Sequence, residues 1–297
     1  MRFSLLPWVL DHLGGDAWDV FHAGFAVMAT RYESLGLSHL LPIDRVWVGV
    51  RSTLAGTFGG FHHPDQGYRH LQMGAVVTRY GDLCSPVLPS AGLVALDLLR
   101  AYAHDCLHYG SYREYELHGG EIFRSQYGFN RRTTAGRSYS APDPKGASTT
   151  RNLGVIMEGA TDREAAAIAR HAAQHLGLTI PAGTDRYAYL DATGQLTCNS
   201  LSQLPRNGPD ADIPPTADRF LAAMGSYARS VNNRYRVFLD EIGGRDADDL
   251  HTLITAAMIS GSVVSLSAWL DARRGPGAFA ALFRAASYDG PEPGGAA

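Results

Sequence analysis

Between Asp16 and Leu35 the apolar residues Trp18, Phe21, Phe25, Met28 and Tyr32 recur at intervals of three and four, one face of a helix. Pro42 closes that region. Arg45-Val46-Trp47-Val48-Gly49-Val50 then alternates as a strand does, and Leu71 to Arg79 is a second β-rich run. The Gly-rich stretch between them, Gly56 to Asp65, reads as a turn or loop flanking a short strand. From Ser90 to Leu117, the positions of Leu93, Leu96, Leu99, Tyr102, Ala103 and Leu107 predict a long, mostly buried helix. Ser90 is placed to cap it and Gly110 to bend or end it. Glu121 to Ser140, with Ile122, Phe123, Tyr127, Phe129 and Tyr139 among Arg and Gly, predicts a β-hairpin or ordered loop. The Pro-, Gly- and Ser-rich stretch from Ala141 to Thr150 predicts a loop.

A second strong helix is expected over Asn152 to Leu176, ending at Gly177. Ile180 to Pro215 reads as irregular, with a small hairpin at Tyr187 to Leu196. Helices follow at Thr216 to Ile242, Asp246 to Ala272 and Pro276 to Ser287. The closing Pro-Glu-Pro-Gly-Gly-Ala-Ala is expected to be disordered. The resulting order is helix, strands, helix, hairpin, helix and a helical remainder, which is an α+β arrangement. It divides into an N-terminal α+β part (1–150), a helical part (151–288) and a tail (289–297).

Composition narrows the classes. The chain has 297 residues, of which 45% are apolar and 19% charged, so it can bury a sizeable core. A net charge of −3 leaves no footprint for nucleic acid or an anionic membrane. No run of eighteen apolar residues occurs to span a bilayer, and Pro7 and Asp11 interrupt the short apolar start, which is not read as a signal peptide. The three cysteines, Cys84, Cys106 and Cys198, are odd in number and widely spaced, with no CxxC, which fits a reducing, cytoplasmic setting. The sequence carries no signal for oligomeric state.

One cluster carries chemistry: His104-Asp105-Cys106-Leu107-His108. On a helix, residues four apart lie one turn apart on one face, so both imidazoles can reach a single ion. Asp105, about 100° round the helix, stands where the acid of an HExxH helix takes a proton from water, whereas Cys106, about 200° round, faces the core. Glu158, on the second strong helix, is the candidate third ligand. Asp162, one turn further, is placed to orient a His N–H from behind. Two His and one carboxylate leave a fourth position open, the pattern of a catalytic Zn²⁺ site.

His104-Asp105-Cys106-Leu107-His108 followed by Glu158-Gly159-Ala160-Thr161-Asp162 resembles the zincin metallopeptidases of the gluzincin type. Those carry HExxH on one helix and a ligand Glu, often in an E-G-x-T-[DE] context, on a later one. The likeness covers these two motifs and the element order between about residues 45 and 176. It implies a zincin-like fold and a zinc hydrolase acting on a peptide or small molecule. His104, His108 and Glu158 would be ligands, Asp105 general base, and Tyr235 or Tyr227 on the following helix an oxyanion stabiliser, with packing the competing role for each tyrosine. One departure matters: the family has Glu where this chain has Asp105, whose carboxylate sits about 1.5 Å further back, and a displacement of about 1 Å can cost on the order of 10²-fold in rate. A specialised biosynthetic zinc enzyme and a non-catalytic binding protein on the same fold are therefore carried as alternatives. His104-Asp105 also resembles the HD-type phosphohydrolases, which are all-helical and need a further upstream His.

Other clusters read more plainly. His171-Ala172-Ala173-Gln174-His175 repeats the spacing with no acid beside it and is expected on a solvated face. His62, His63 and Asp65 sit in the Gly-rich loop, as a polar loop or a substrate contact, and His70 and His118 are weaker candidates. Neither GxxxxGK[ST] nor GxSxG occurs.

Overall fold

The chain opens with β1 (Arg2–Leu5), not with the helix predicted from its first apolar stripe, and β1 runs directly into α1 (Leu6–Leu13). Pro7 sits in the first turn of α1, where a missing N–H costs no intrahelical bond, and Leu6, Val9 and Leu10 are buried. In this computed structural model the chain is described over residues 2–51, 61–62, 70–72, 91–134, 138–183, 185–203, 221 and 224–284. The expected stripe forms α2 (Gly15–Ser34), with Phe21, Met28 and Tyr32 buried and Trp18 and Phe25 half-buried beside them.

The alternating run forms β2 (Val46–Arg51), which pairs antiparallel with β1. The two-residue β3 (Phe61–His62) and β4 (His70–Gln72) complete a mixed sheet in the order β1-β2-β4-β3, with β4 parallel to β2. The remainder of the 71–79 run and most of the Gly56–Asp65 loop lie outside the described residues.

Next comes α3 (Ala91–Gly110), apolar on most sides. It packs tightly on α2, because a Cβ at Gly24 would lie 2.2 Å from Leu99 Cδ2. Two tyrosines tie it to the backbone of other segments: Tyr32 donates to the Ala103 carbonyl at 2.9 Å and Tyr102 to the Leu41 carbonyl at 2.6 Å. The helix stops at Gly110 and does not run to Leu117 as expected. Residues Arg113–His118 form β5, which pairs with β6 (Glu121–Tyr127). The cause is the two-residue Gly119-Gly120 link, with both residues at positive φ (60° and 86°), the hairpin turn whose twist matches the strands. β7 (Asn130–Arg131) completes a small antiparallel sheet in the order β5-β6-β7.

The loop expected over Ala141 to Thr150 is observed as irregular chain, and the second strong helix is α4 (Leu153–His175). Asn152 caps it, its side-chain oxygen accepting from the N–H of Gly154 at 2.9 Å and of Val155 at 3.2 Å. Gly177 at φ 61° ends it, with Leu178 N–H bonded back to the Ala173 carbonyl at 2.9 Å. The small hairpin expected at Tyr187 to Leu196 is instead α5 (Asp185–Ala192), followed by α6 (Cys198–Ser202). The tyrosines there favour strand locally. Burial of Ala188, Tyr189, Leu190 and Ala192, and a Gly194 cap at φ 66°, decide for helix.

The C-terminal part is helical as expected, in shorter pieces: a π-turn over Ala228–Asn232, then α7 (Asn233–Ile242), α8 (Ala247–Ser260), α9 (Val264–Arg274) and α10 (Ala278–Phe283). The 246–272 run breaks at Gly261, φ 73°, where any Cβ would strike the Tyr112 ring at 2.4 Å. The tail lies outside the described residues.

The architecture is thus α+β, mostly helical with small sheets. Two compact units make it up, both assembled from separated stretches of chain. The first (1–34, 38–109 and 162–229) contains the β1-β2-β4-β3 sheet, α1 to α3, the C-terminal part of α4, and α5 and α6. The second (35–37, 110–161 and 230–297) contains the hairpin sheet, the N-terminal part of α4, and α7 to α10. The core of the second is built on Phe129, Leu153, Ile156, Phe238, Leu250 and Ile254. Among the described residues no helix is long and apolar enough to cross a membrane.

Candidate metal centre

Helix α3 carries Arg100, His104 and His108 at successive four-residue steps, so the three side chains project from one face of a helix whose other buried positions are mainly apolar, with Asp97 and Asp105 as charged exceptions. The two imidazoles lie with ring centroids 4.5 Å apart and planes inclined at 67°. Glu158 belongs to α4. The ligand atoms of His104, His108 and Glu158 all lie within 4.8 Å of one another, each residue half-buried, and the group can hold a metal ion. Four ligands at about 2.0–2.1 Å from zinc in a tetrahedron are about 3.4 Å apart. A two-nitrogen, one-carboxylate donor set is one that a divalent metal ion accepts.

Asp162, one turn beyond Glu158 on the unbroken α4, meets His104 from behind: its Oδ1 lies 2.8 Å from His104 Nδ1. With Nδ1 so engaged, Nε2 is the nitrogen of His104 left for an ion. A carboxylate behind a ligating His fixes the ring's tautomer and orientation. The same Oδ1 accepts from Arg100 Nη2 at 3.1 Å, and Arg100 Nη1 reaches Asp191 Oδ2 at 3.4 Å. Arg100, Asp162 and Asp191 are thus a buried relay behind His104. Burial works against the Arg100 charge, but Asp162 and Asp191 outweigh it and hold the guanidinium pKa above its ordinary value. Burial likewise pushes the Asp191 carboxyl up to about 6, with Arg100 opposing and Asp162 and Asp97 reinforcing.

The remaining candidates are placed as follows. Asp105 is 8% exposed on α3 and is not one of the three clustered ligands. Cys106 is fully buried, and burial pushes its thiol up to about 12, so it is an inert core residue. Tyr235 is 2% exposed. Its hydroxyl lies 2.8 Å from His251 Nδ1, and its ring base presses on Gly159, where a Cβ would come within 2.4 Å. It therefore packs against the residue after Glu158. Tyr227 is half-buried in the first unit. His171 and His175 are exposed, and His118 is exposed at the hairpin end. His63 and Asp65 lie outside the described residues, and for His62 and His70 only the backbone pairing is described.

Sequence reasoning missed Arg100 and Asp191. Arg100 had a local signal, since it is one turn before His104 on the same face. Asp191 had none, because it is far along the chain and in a segment whose helix was not predicted. No family model matches the chain, and comparison with curated proteins and with solved structures finds no match either.

Proposed function

We propose that the chain is a zinc-dependent metallohydrolase with a gluzincin-like site, acting on an amide or ester carbonyl. The observation that carries the reading is the convergence of His104, His108 and Glu158, which come from helices fifty residues apart in sequence, with Asp162 set against the back of His104. A single buried polar group on a core helix needs only one partner to be satisfied. Two imidazoles and a carboxylate facing a common point, the first held in a fixed tautomer, are what an ion requires.

Zinc bound there would act as a Lewis acid and bring a coordinated water to a pKa of about 7. His104 and His108 would present neutral ring nitrogens, and Glu158 would supply the single negative charge of the ligand set. Asp162, braced by Arg100, would keep His104 from turning away. Asp105 would take the proton from the attacking water and pass it to the leaving group. Tyr235, with its hydroxyl on His251, would support the α4 backbone at Gly159.

The strands in both units weigh against the HD-type phosphohydrolase reading, which calls for an all-helical chain. The alternative of a metal-holding but non-catalytic binding protein is favoured by one observation, the shorter Asp at position 105. Metal analysis of purified protein and two variants separates them. The enzyme reading expects about one zinc per chain, loss of metal in Asp162→Ala with Glu158→Ala, and full metal with lost hydrolysis in Asp105→Asn. Retention of every function by Asp105→Asn would favour the binding protein. A wild-type chain that takes up no zinc would end both.

A further inference from the structure

The second unit holds a cavity of about 590 Å³, lined by the hairpin sheet and by the ends of α8, α9 and α10. The sheet register accounts for its polar side. Glu114 on β5 pairs with Gln126 on β6, and Gln126 pairs with Arg131 on β7, so the three residues form one row across the sheet. Residues directly opposite one another on antiparallel strands share a face, and all three line the cavity. Gln126 is buried and its amide is engaged. Its Nε2 donates to the Gly128 and Gly261 carbonyls, both at 2.8 Å, and its Oε1 accepts from Arg131 Nε at 3.2 Å.

Opposite charges stand at the two ends of that row. Arg131 is held through Nε, and among the described residues its Nη nitrogens and the Glu114 carboxylate have no partner. The two line one cavity and yet do not pair with each other, because Gln126 stands between them and the outer strands of three lie about 9.5 Å apart. Both side chains are exposed, so each keeps its hydration until something binds. The rest of the wall is apolar. Phe129 and Phe279 are buried there, and the Tyr139 ring lies 5.8 Å from that of Phe279. Tyr112 and Val264, which complete it, are 38% and 73% exposed. An apolar concavity with a few convergent polar groups is the usual composition of a small-molecule site.

We propose that this cavity binds an elongated apolar zwitterion, with its carboxylate on Arg131, its ammonium on Glu114 and its apolar body against Tyr112, Tyr139 and Phe279. The planar guanidinium can donate two N–H bonds to a carboxylate, and an ammonium supplies the donors that the acceptor-only Glu114 carboxylate takes. A ligand with one charge would cover the opposite charge of the row without giving it a partner, which costs affinity. None of these residues belongs to the His104, His108 and Glu158 group, so the cavity and the metal reading stand or fall separately.

The test is an NMR titration of the full chain with para-aminomethylbenzoate, which carries the two charges at opposite ends of a ring. The comparison ligands are para-methylbenzoate, which lacks the ammonium, para-methylbenzylamine, which lacks the carboxylate, and phenylalanine, which has both charges on one carbon. The first ligand is expected to bind about 10-fold more tightly than each of the other three. Arg131→Gln is expected to bring its advantage over para-methylbenzylamine to about one and to leave its advantage over para-methylbenzoate. Glu114→Gln is expected to do the reverse. The ratio within each variant cancels any general loss of folded protein. A wild-type chain that binds none of the four at millimolar concentration overturns the site. Advantages that survive both variants place the ligand elsewhere on the chain and overturn it as well. Binding of para-methylbenzoate as tight as that of the zwitterion removes Glu114 and overturns the assignment, and equal binding of phenylalanine overturns the elongated form. Zinc uptake is expected to be unchanged in both variants, and its loss in either would overturn the separation of the cavity from the metal group.

Discussion

Two helices of this chain carry HxxxH, and among the described residues one of the two pairs belongs to a group that could hold a metal ion. His171 and His175 on α4 lie with rings nearly parallel, 8° apart, at a centroid separation of 6.3 Å, and both are exposed. His104 and His108 on α3 close to 4.5 Å with planes inclined at 67°. The helix supplies the same spacing to both pairs. The surroundings differ: the first pair looks into solvent from the end of α4, whereas the second meets Glu158 from another helix and has Asp162, Arg100 and Asp191 behind it. Spacing makes a ligand pair available. A third donor and a braced ring make it a group that could hold an ion.

The sharpest way to break the comparison is to delete one ring from each pair. His108→Ala is expected to lower zinc affinity at least 100-fold, read by chelator competition, because it leaves two ligands where three are needed. His171→Ala is expected to leave affinity within twofold. Equal losses in the two variants would show that the ion is not held at α3. A smaller effect is expected from the relay. Arg100→Met keeps all three ligands and should weaken zinc binding on the order of 10- to 100-fold, the range typical of lost outer partners. In nitrogen NMR of the metal-free chain, the Nδ1-protonated form of His104 should lose population in the same variant. An unchanged tautomer would assign Arg100 to packing alone.

The acid at the far end of the relay makes a prediction in pH. Asp191 is raised to about 6 in the folded chain from an ordinary 3.8, so on lowering pH the folded state binds this proton before the unfolded chain does. Its ionisation therefore removes stability as pH rises from about 4 through about 6, an effect on the order of 2–3 kcal/mol when fully developed. Urea unfolding of wild type and Asp191→Asn at both ends of that window should show the variant gaining relative to wild type as pH rises. A constant difference would place the Asp191 carboxyl in its ordinary range. The smallest effect is expected at Tyr235→Phe, which deletes the hydroxyl facing His251 and should cost about 1–2 kcal/mol in unfolding while leaving zinc affinity in place.

Much of this was legible in the sequence. The stripe from Trp18 to Tyr32, the alternation from Arg45 to Val50, Asn152 with Gly177 and the apolar positions of α3 are local signals, and each produced the element predicted from it. The metal candidates were legible for the same reason, because a four-residue step on a helix fixes a common face whatever surrounds it. Where local signals failed, a competing cause can be named. The Gly119-Gly120 turn ended the helix predicted to reach Leu117, and burial turned the Tyr-rich segment at 187–196 into a helix.

The sequence alone therefore determined which side chains share a helical face, where those helices are capped, and that His104 and His108 could act together. Only the tertiary structure decided that Glu158 reaches them, that Arg100 and Asp191 stand behind Asp162, and that Glu114, Gln126 and Arg131 line one cavity. The reason is one of range: periodicity and capping act within a turn or two of chain, whereas partners 50 to 90 residues apart meet only when buried surfaces choose a common packing.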